Sequence, residues 1–519
     1  MKNIYCYILL ILSFWGLMPV NKAIAQSGSA GANGDIRLIA SANLASAPAT
    51  FQIRQAGVWV TPTGNLGANL SGSVNVFVQK GCTLTINTGT AAINYLNINN
   101  GLAANGGVVS VATGATLNLN GQVRTFSNAA LINTSADGVF PDANPQVAGM
   151  LLTAGTGKIA FIGSSRAVPL FSTAGTLPAG WNMAVSMASN SATLNASGYS
   201  LNSLSVTAGT FSFGNAGANA LTLTGTTSPA PLTVSSGATL DMTGSGLAHS
   251  LTLSGIGGVA TMAGTFSTTA ASGSSVNYTA NGAQTMFASP NYQKLLVSGT
   301  GTATKTTGGS ISVADLMTFS ASAAPVSIAA GHTLTLSSAS GIAASGRAYF
   351  TGTTSTSNFI ASAITTDYSI YAAGTSVFGD LSLGSGIVTL GTLAGNSLTV
   401  NGSFSQASGG TLHFGGTTAR TLSLGSAATF NAANIDMSGL AGHVLSLGSA
   451  VNTLDGVLTS LSGNTVTYNA AGPQSVFPSL TYKNLTISGS GIKTLTGTSN
   501  AGALANLAVT QVCTVAAGA

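Results

Sequence analysis

The chain has 519 residues, of which 45% are apolar and only 4% are charged, and this balance excludes a disordered chain, which needs low hydrophobicity. All 9 acidic residues are Asp, and the chain has no Glu and few Lys. It therefore cannot build the polar faces of surface helices, and the composition favours β-structure with many turns. The net charge of +5 comes from scattered Lys and Arg rather than from a cluster that could bind phosphates, which argues against nucleic acid as a partner.

The first predicted element is a secretory signal peptide at residues 1–25. A basic start, "MKN", precedes the apolar stretch "IYCYILLILSFWGLMPV", and Ala23 and Ala25 form the small-residue pattern of a cleavage site. We therefore predict cleavage after Ala25, a secreted or cell-surface location, and a mature chain without a transmembrane segment. Residues 26–80 precede the first strand phrase, and we interpret them as an N-terminal capping region.

Two cysteines remain after the signal peptide, Cys82 in "KGCTLTI" and Cys513 in "TQVCTVA". They are too few and too far apart for a disulfide framework or a metal motif. We interpret each as a small buried or half-buried thiol at the start of a strand, and the sequence assigns neither a further role.

Residues 81–519 repeat one short phrase: an apolar residue, a small polar residue, another apolar residue, then Gly or Ser. Alternation with a period of two places the apolar side chains on one face of a strand and Thr, Ser and Asn on the other. Phrases such as "GATLNL" and "GATLDM" open several strands with a Gly that permits a bend. The predicted outward residues include Thr116, Thr239 and Thr486. The predicted core residues include Leu117, Leu119, Leu240, Leu334, Leu336, Leu485 and Ile487.

Candidate chemical groups are sparse along this repeat. Asp137 and Asp142 in "SADGVFPDANPQ" are the closest acids, and although such a pair could bind Ca²⁺ or act in acid–base catalysis, Asp-Gly and Pro are typical of a turn. The four histidines stand in no metal motif, and the similar positions of two of them reflect duplication. We therefore predict no catalytic, cofactor-binding or metal-binding residue and no enzymatic activity. The histidines are His249, His332, His413 and His443.

A longer phrase recurs with a spacing of about 95 residues, which is the signature of a repeat protein. "YTANGAQTMFASPNYQKLLVSGTGTATKT" begins at Tyr278, a degenerate copy begins at Tyr371, and "YNAAGPQSVFPSLTYKNLTISGSGIKTL" begins at Tyr468. We expect its aromatic residues to fill the core rather than to stack on sugars. We also expect Gln284 and Gln474 to pair with turn backbone.

Lys305 and Lys493 follow this phrase in Thr-rich strands, where we expect both ammonium groups to be solvated.

The order of Tyr, Gln, Phe, Tyr and Lys in this phrase resembles repeats in large secreted surface proteins of Bacteroidetes. The phrases "GATLNL" and "LTVNGSF" are also similar to adhesin and autotransporter passenger repeats. The resemblance covers roughly residues 70–519. It implies a parallel β-helix on the cell surface or outer membrane, often exported by the type IX system, although no C-terminal sorting domain of that system is recognised.

The last residues, "VAAGA", match the strand-opening phrases that begin at Val111 and Val234, but they stop before the expected Thr-Leu. Solenoids normally cover the open edge of their last turn, because unpaired backbone groups recruit another chain. We therefore expect that the reading frame is truncated here and that the open edge favours self-association.

The sequence as a whole predicts an all-β, right-handed parallel β-helix that serves as an adhesin-like structural protein. Its Thr/Ser/Asn-rich surface would contact an extracellular glycan or a cell surface, but the ligand cannot be identified. Tandem β-sandwich domains are the alternative fold, since about 95 residues also suits an immunoglobulin-like domain. The alternative functions are a β-helical polysaccharide lyase or hydrolase, for which the charges are too scattered, and an ice-binding solenoid, for which the Thr phrases are too irregularly spaced.

Overall fold

The structure is a computed structural model of the chain. It is all-β, with 55% strand and 2% helix, and its stacked parallel coils form a β-solenoid of about 14 turns. The predicted β-helix is therefore confirmed, and the sandwich alternative is wrong because successive turns pair in parallel. The structure describes residues 33–79, 81–99, 107–112, 114–120, 123–126, 151–152, 158–162, 166–168, 182–194, 198–215, 217–226, 230–244, 246–268, 273–299, 304–320, 325–339, 341–344, 350–370, 375–391, 397–426, 429–479, 481–495, 506–509 and 513–515.

The chain divides into two compact units, Met1–Trp181 and Asn182–Ala519. The first unit contains a short 3₁₀ turn at Pro48–Thr50 and one helical turn, α1, at Leu66–Asn69, where the Asn65 side chain accepts a hydrogen bond from the Ala68 N–H. Its strands are β1 Ile36–Leu38, β2 Ala42–Asn43, β3 Phe51–Gln55, β4 Val58–Val60, β5 Val76–Val78, β6 Thr83–Ile86, β7 Thr90–Ile93, β8 Leu96–Asn99, β9 Val108–Val111, β10 Thr116–Leu119, β11 Val123–Phe126, β12 Leu151–Leu152, β13 Lys158–Ile162 and β14 Arg166–Val168.

The first unit changes from antiparallel to parallel pairing near its start. Strand β3 pairs antiparallel with both β1 and β4, whereas β1 pairs in parallel with β5, which begins the stack β5–β8–β11. The Arg37 guanidinium lies 4.8 Å from the centre of the Trp59 ring, and its Nε donates to the Gln52 amide oxygen at 2.7 Å. These contacts lie within the predicted capping region, whose capping role stays a prediction.

The first half of the second unit begins with two long strands that stack on each other in parallel, β15 and β17. Its strands are β15 Asn182–Leu194, β16 Tyr199–Leu201, β17 Ser203–Ser212, β18 Ala220–Leu223, β19 Leu232–Val234, β20 Thr239–Met242, β21 Ser250–Leu253, β22 Gly257–Gly258, β23 Ala260–Met262, β24 Thr265–Thr268, β25 Ser275–Tyr278, β26 Gln284–Met286, β27 Ser289–Val297, β28 Lys305–Thr307, β29 Ile311–Phe319, β30 Val326–Ile328, β31 Thr333–Leu336, β32 Ile342–Ala344 and β33 Phe350–Gly352.

The second half of this unit continues the same parallel stacking in shorter strands. Its strands are β34 Asn358–Ile360, β35 Tyr368–Ile370, β36 Thr375–Phe378, β37 Leu381–Leu383, β38 Ile387–Leu390, β39 Ser397–Val400, β40 Ser403–Gln406, β41 Thr411–His413, β42 Thr421–Leu424, β43 Thr429–Ala432, β44 Asn434–Met437, β45 Val444–Leu447, β46 Val451–Leu454, β47 Leu458–Ser460, β48 Thr465–Tyr468, β49 Gln474–Val476, β50 Asn484–Ile487, β51 Lys493–Leu495, β52 Asn506–Val509 and β53 Cys513–Val515.

Two kinds of turn alternate in the second unit. From β34 to β48 each strand pairs with the third strand after it, so that three strands complete a turn, and Leu422 stands in register with Leu445. Around β25–β30 and again from β48 onward, each strand pairs with the second strand after it, and Val466 stands in register with Leu485. The turn from Leu422 to Leu445 advances the chain by 23 residues, whereas the turn from Val466 to Leu485 advances it by 19.

The interior of the solenoid consists of the apolar residues of the alternating phrases. Leu117, Leu119, Leu240, Leu334, Leu336 and Ile487 are buried, as predicted, and Thr116, Thr239 and Thr486 are half-buried on the opposite face of their strands. The prediction for Leu485 is wrong, because this residue is only half-buried. Its partner in the following turn is Leu507, which is itself 57% exposed and gives incomplete cover.

Glycine is required where one turn lies directly against the next. A side chain at Gly384 would overlap the Ile364 carbonyl oxygen, and one at Gly255 would overlap the Gly225 carbonyl oxygen of the preceding turn. Any Cβ at these positions would push adjacent turns apart. Part of the high glycine content therefore serves close stacking.

Truncation of an inward residue tests this arrangement. Leu240→Ala should lower the free energy of unfolding by about 2–5 kcal/mol, because Leu240 is fully buried and the deletion leaves a cavity. The matched control is Thr239→Ala on the outward side of the same strand, which should change it by less than about 0.5 kcal/mol. Urea unfolding followed by circular dichroism would measure both, and equal midpoints for the two variants would contradict the inward assignment.

Candidate functional site

The duplicated phrase folds into two buried clusters, which we call box 1 and box 2. Each contains two tyrosines, a phenylalanine, a glutamine and a lysine, and each lies in a two-strand turn of the second unit. Box 1 consists of Tyr278, Gln284, Phe287, Tyr292 and Lys305. Box 2 consists of Tyr468, Gln474, Phe477, Tyr482 and Lys493.

The tyrosine hydroxyls of each box form a closed chain of hydrogen bonds. In box 1 the Phe287 N–H donates to the Tyr278 hydroxyl at 3.0 Å, the two hydroxyls lie 3.1 Å apart, and the Tyr292 hydroxyl donates to the Phe287 carbonyl at 2.8 Å. Box 2 repeats this chain between Tyr468 and Tyr482. Burial raises the pKa of these phenols. The expectation that these aromatic residues fill the core is confirmed.

The glutamine of each box joins its own turn to the preceding one. In box 2 the Gln474 amide nitrogen donates to the carbonyls of Leu447 and Ser449 at 2.6 and 2.8 Å, and its amide oxygen accepts from the Ala470 N–H at 3.2 Å. Gln284 makes the corresponding three bonds in box 1. The predicted pairing of both glutamines with turn backbone is therefore confirmed.

The lysines are fully buried, so the expectation that they are solvated is wrong. The Lys493 ammonium donates to the carbonyls of Ala470, Gly472 and Ser490 at 2.7, 2.8 and 2.8 Å. These three acceptors use every N–H of the ammonium group. The side chain therefore enters the solenoid from the strand and satisfies the turn carbonyls that the tight stacking removes from water.

Lys305 repeats this arrangement with one different acceptor. Its ammonium donates to the carbonyls of Ala280 and Gly282 at 2.7 and 2.9 Å and to the Gln284 amide oxygen at 2.6 Å. Burial lowers the pKa of the Lys305 amine to about 8, so that the amine remains mainly charged at neutral pH. Both lysines are structural groups with no exposed nitrogen for a ligand.

Two histidines of the second unit are half-buried. His413 Nδ1 lies 3.0 Å from the Asp436 carboxylate in the next turn, and Asp436 also accepts from the Ser438 N–H and hydroxyl. The bonds from Ser438 and His413 outweigh partial burial and lower the pKa of Asp436. His332 Nδ1 lies 2.9 Å from the Thr307 hydroxyl. Neither imidazole belongs to a group of three or more metal-ligating side chains within the described residues.

The other two histidines are buried among backbone groups. His249 Nδ1 accepts from the Asn219 N–H at 3.1 Å, and His443 Nδ1 accepts from the Arg420 N–H at 3.0 Å. Burial lowers the pKa of both imidazoles. From the sequence, duplication alone accounts for their similar positions. The hydrogen-bond partners Asn219 and Arg420 lie in other turns and share no motif, so the sequence does not reveal them.

The remaining sequence candidates are the two cysteines and the Asp137–Asp142 pair. Cys82 is a buried free thiol whose pKa is raised to about 11 by burial, which confirms a buried thiol at this strand start. The described residues do not include Asp137, Asp142, Tyr371 or residues 1–25, and nothing is described of the Cys513 side chain.

Among the described residues, no His, Cys, Asp or Glu side chains group in threes as a metal site would require. The same residues contain no helix long and apolar enough to span a membrane.

The outward side of strands β39, β42, β45, β48 and β50 presents a regular polar surface, which we call the hydroxyl face. Parallel pairing aligns its side chains in two columns, one residue per turn in each column. Neighbouring turns stand about 4.8 Å apart, and the two columns stand about 6.6 Å apart along each strand. The first column contains Ser397, Thr421, Val444, Thr465 and Asn484, and the second contains Thr399, Ser423, Ser446, Thr467 and Thr486.

The irregular sequence spacing of the Thr phrases does not disturb this register. The chain from Ser423 to Ser446 passes through a three-strand turn, and the chain from Thr467 to Thr486 passes through a shorter two-strand turn, yet both pairs are aligned. The segments between strands absorb the difference. Irregular spacing along the sequence is therefore no argument against a regular array on one sheet.

Comparison of the chain with protein-family models, with curated proteins and with solved structures finds no match in any of the three.

Removal of a box lysine tests its structural role. Lys493→Met keeps the apolar stem but leaves three buried carbonyl oxygens without their donor, so we expect it to lower the free energy of unfolding by about 1–3 kcal/mol. The control is Lys294→Met, since Lys294 is 39% exposed and lies 3.6 Å from the Asp315 carboxylate, and it should cost less than about 1 kcal/mol. Thermal unfolding of both variants would measure the difference, and an unchanged Lys493→Met midpoint would contradict the role.

Proposed function

We propose that the protein is a secreted or cell-surface structural protein that binds an extracellular glycan or a cell surface through the hydroxyl face. The observation that carries this proposal is the in-register array on the hydroxyl face, in which every side chain except Val444 is Thr, Ser or Asn. Hydroxyl and amide groups donate and accept hydrogen bonds, which suits the hydroxyl-rich surface of a glycan. The resemblance to large secreted surface proteins of Bacteroidetes and the predicted signal peptide support the location.

Repetition compensates for weak individual contacts. A single hydroxyl exposed to water gains little by exchanging water for a ligand group, since the net contribution of one hydrogen bond is about 0.5–1.5 kcal/mol. Several equal contacts on one rigid sheet act together, because the first fixes the geometry of the others. A polymer with a regular repeat is therefore the ligand class that this surface favours over a small molecule.

The enzymatic alternative receives no comparable support from the described residues. The boxes enclose their lysines, and the outward His413–Asp436 pair has Ser438 bonded to Asp436 rather than to the imidazole. A lyase or hydrolase needs several titratable groups directed at one bond. We therefore propose a binding role rather than a catalytic one.

Binding to a glycan array, compared between face variants, tests the proposal. Ser446→Lys places a long charged side chain in the middle of the hydroxyl face, so loss of one contact worth about 1.4 kcal/mol would weaken binding about tenfold. The control is Thr389→Lys, since Thr389 is a half-buried outward residue on β38, in another sheet. Equal binding by the two variants would contradict the assignment of the face, and shortening of a bound polysaccharide would instead indicate an enzyme.

The same array supports a second candidate, binding to ice. Both columns are aligned over five strands, and Thr or Ser occupies most positions, which provides a regular set of hydroxyl groups. Thermal hysteresis and inhibition of ice recrystallisation would test this candidate. We expect activity that Ser446→Lys removes and Thr389→Lys retains, and inactivity of the unmodified protein would exclude it.

A further inference from the structure

The two buried histidines belong to matching clusters that each connect three successive turns. In the first cluster, the Asn219 N–H of the preceding turn donates to His249 Nδ1, and the Asn219 side chain donates to the Phe213 carbonyl at 2.6 Å. The backbone N–H of His249 donates to the Ser274 hydroxyl of the following turn at 3.2 Å. This hydroxyl in turn donates to the Met242 carbonyl at 3.2 Å. The Phe213 ring packs 5.5 Å from the imidazole.

The second cluster repeats these roles with different residues. The Arg420 N–H donates to His443 Nδ1 at 3.0 Å, and Arg420 Nε donates to the Phe414 carbonyl at 2.9 Å. The backbone N–H of His443 donates to the Asn464 amide oxygen of the following turn at 2.9 Å. The Asn464 amide nitrogen donates to the Met437 carbonyl. The Phe414 ring packs 5.4 Å from the imidazole.

This geometry requires a neutral imidazole. A backbone N–H can donate to Nδ1 only while Nδ1 carries a lone pair, and in His443 the proton on Nε2 donates to the Gly415 carbonyl at 3.1 Å. Protonation of Nδ1 would place two N–H donors against each other inside a dry cluster, since His249 and His443 are 1% and 0% exposed. The ring can accept the proton only if the turns separate.

We propose that these two clusters are acid-sensitive latches, in which protonation of His249 or His443 releases the contact between successive turns of the solenoid. The closed latch joins three turns at neutral pH, and the open latch frees the Asn219 or Arg420 amide. The strands on either side keep their apolar contacts, so the change is a local loosening rather than global unfolding.

The direction of the pH dependence follows from burial. Burial lowers the pKa of both histidines in the folded protein, so the unfolded or opened state binds more protons below the ordinary histidine value of about 6.5. Stability contributed by the neutral imidazoles is therefore present above about pH 6.5 and is lost as the pH falls below it.

The charged neighbours make the two latches unequal. Asp241 acts on His249 and raises its pKa, which partly offsets burial. Arg420 and His413 lower the pKa of His443, whereas Asp436 raises it. Because a buried guanidinium lies in the second latch, a second positive charge there is less favourable, and we expect the larger acid response at His443.

Hydrogen–deuterium exchange of the full chain at pH 7.5, 6.5, 5.5 and 5.0, corrected for the intrinsic pH dependence of exchange, tests the proposal. Protection of the peptides that contain the Asn219 and Arg420 amides should fall about threefold to tenfold between pH 6.5 and 5.5, since one linked proton permits at most about tenfold per pH unit. Peptides from residues 33–79, which contain no histidine, provide the internal reference.

Single substitutions assign the response to each latch. His443→Gln keeps an acceptor but cannot titrate, so it should abolish the acid response at Arg420 and leave the response at Asn219, and His249→Gln should do the reverse. His413→Asn should leave both responses in place. Unchanged protection of the unmodified protein between pH 6.5 and 5.5 would overturn the proposal, as would a response at Arg420 that survives His443→Gln or disappears in His413→Asn.

Discussion

In-register parallel pairing between successive turns is the constraint on which the rest of this structure depends. It aligns equivalent side chains of successive turns in columns, so that each column contains similar residue types from turn to turn. The inward columns bury Leu, Val, Ile and Phe, and the outward columns of the hydroxyl face present mainly Thr, Ser and Asn. It also removes turn carbonyls from water wherever two turns approach closely. Lys305 and Lys493 satisfy such carbonyls in the two-strand turns.

Much of the fold could be predicted from the sequence because alternation with a period of two is a local property. The inward position of Leu240 and the packing of Tyr278 and Tyr468 follow from such local patterns together with the size of the side chains. The burial of Lys493 could not be predicted, because its acceptors at Ala470 and Gly472 belong to the preceding turn. A flanking Thr-rich strand is equally compatible with a solvated lysine.

The histidine clusters show a second limit of sequence comparison. His249 and His443 occupy similar positions in the duplicated segments, but Asn219 corresponds to Arg420 and Ser274 corresponds to Asn464. Different side chains therefore perform the same hydrogen-bonding roles. A motif based on residue identity misses such a cluster, whereas the shared geometry of three stacked turns reveals it.

Box 2 also determines how this part of the chain would respond to tension. Turns held only by backbone pairing and apolar contact separate one at a time, because each turn interacts with its nearest neighbours alone. Gln474 reaches back to Leu447, and Lys493 reaches back to Ala470, so three turns share one set of side-chain bonds. The three bonds of the Lys493 ammonium are charge-assisted and stronger than neutral ones. A pulling force applied at β52 would therefore meet greater resistance at box 2. Several turns would unfold together there, so the chain would extend in larger steps than along the three-strand turns.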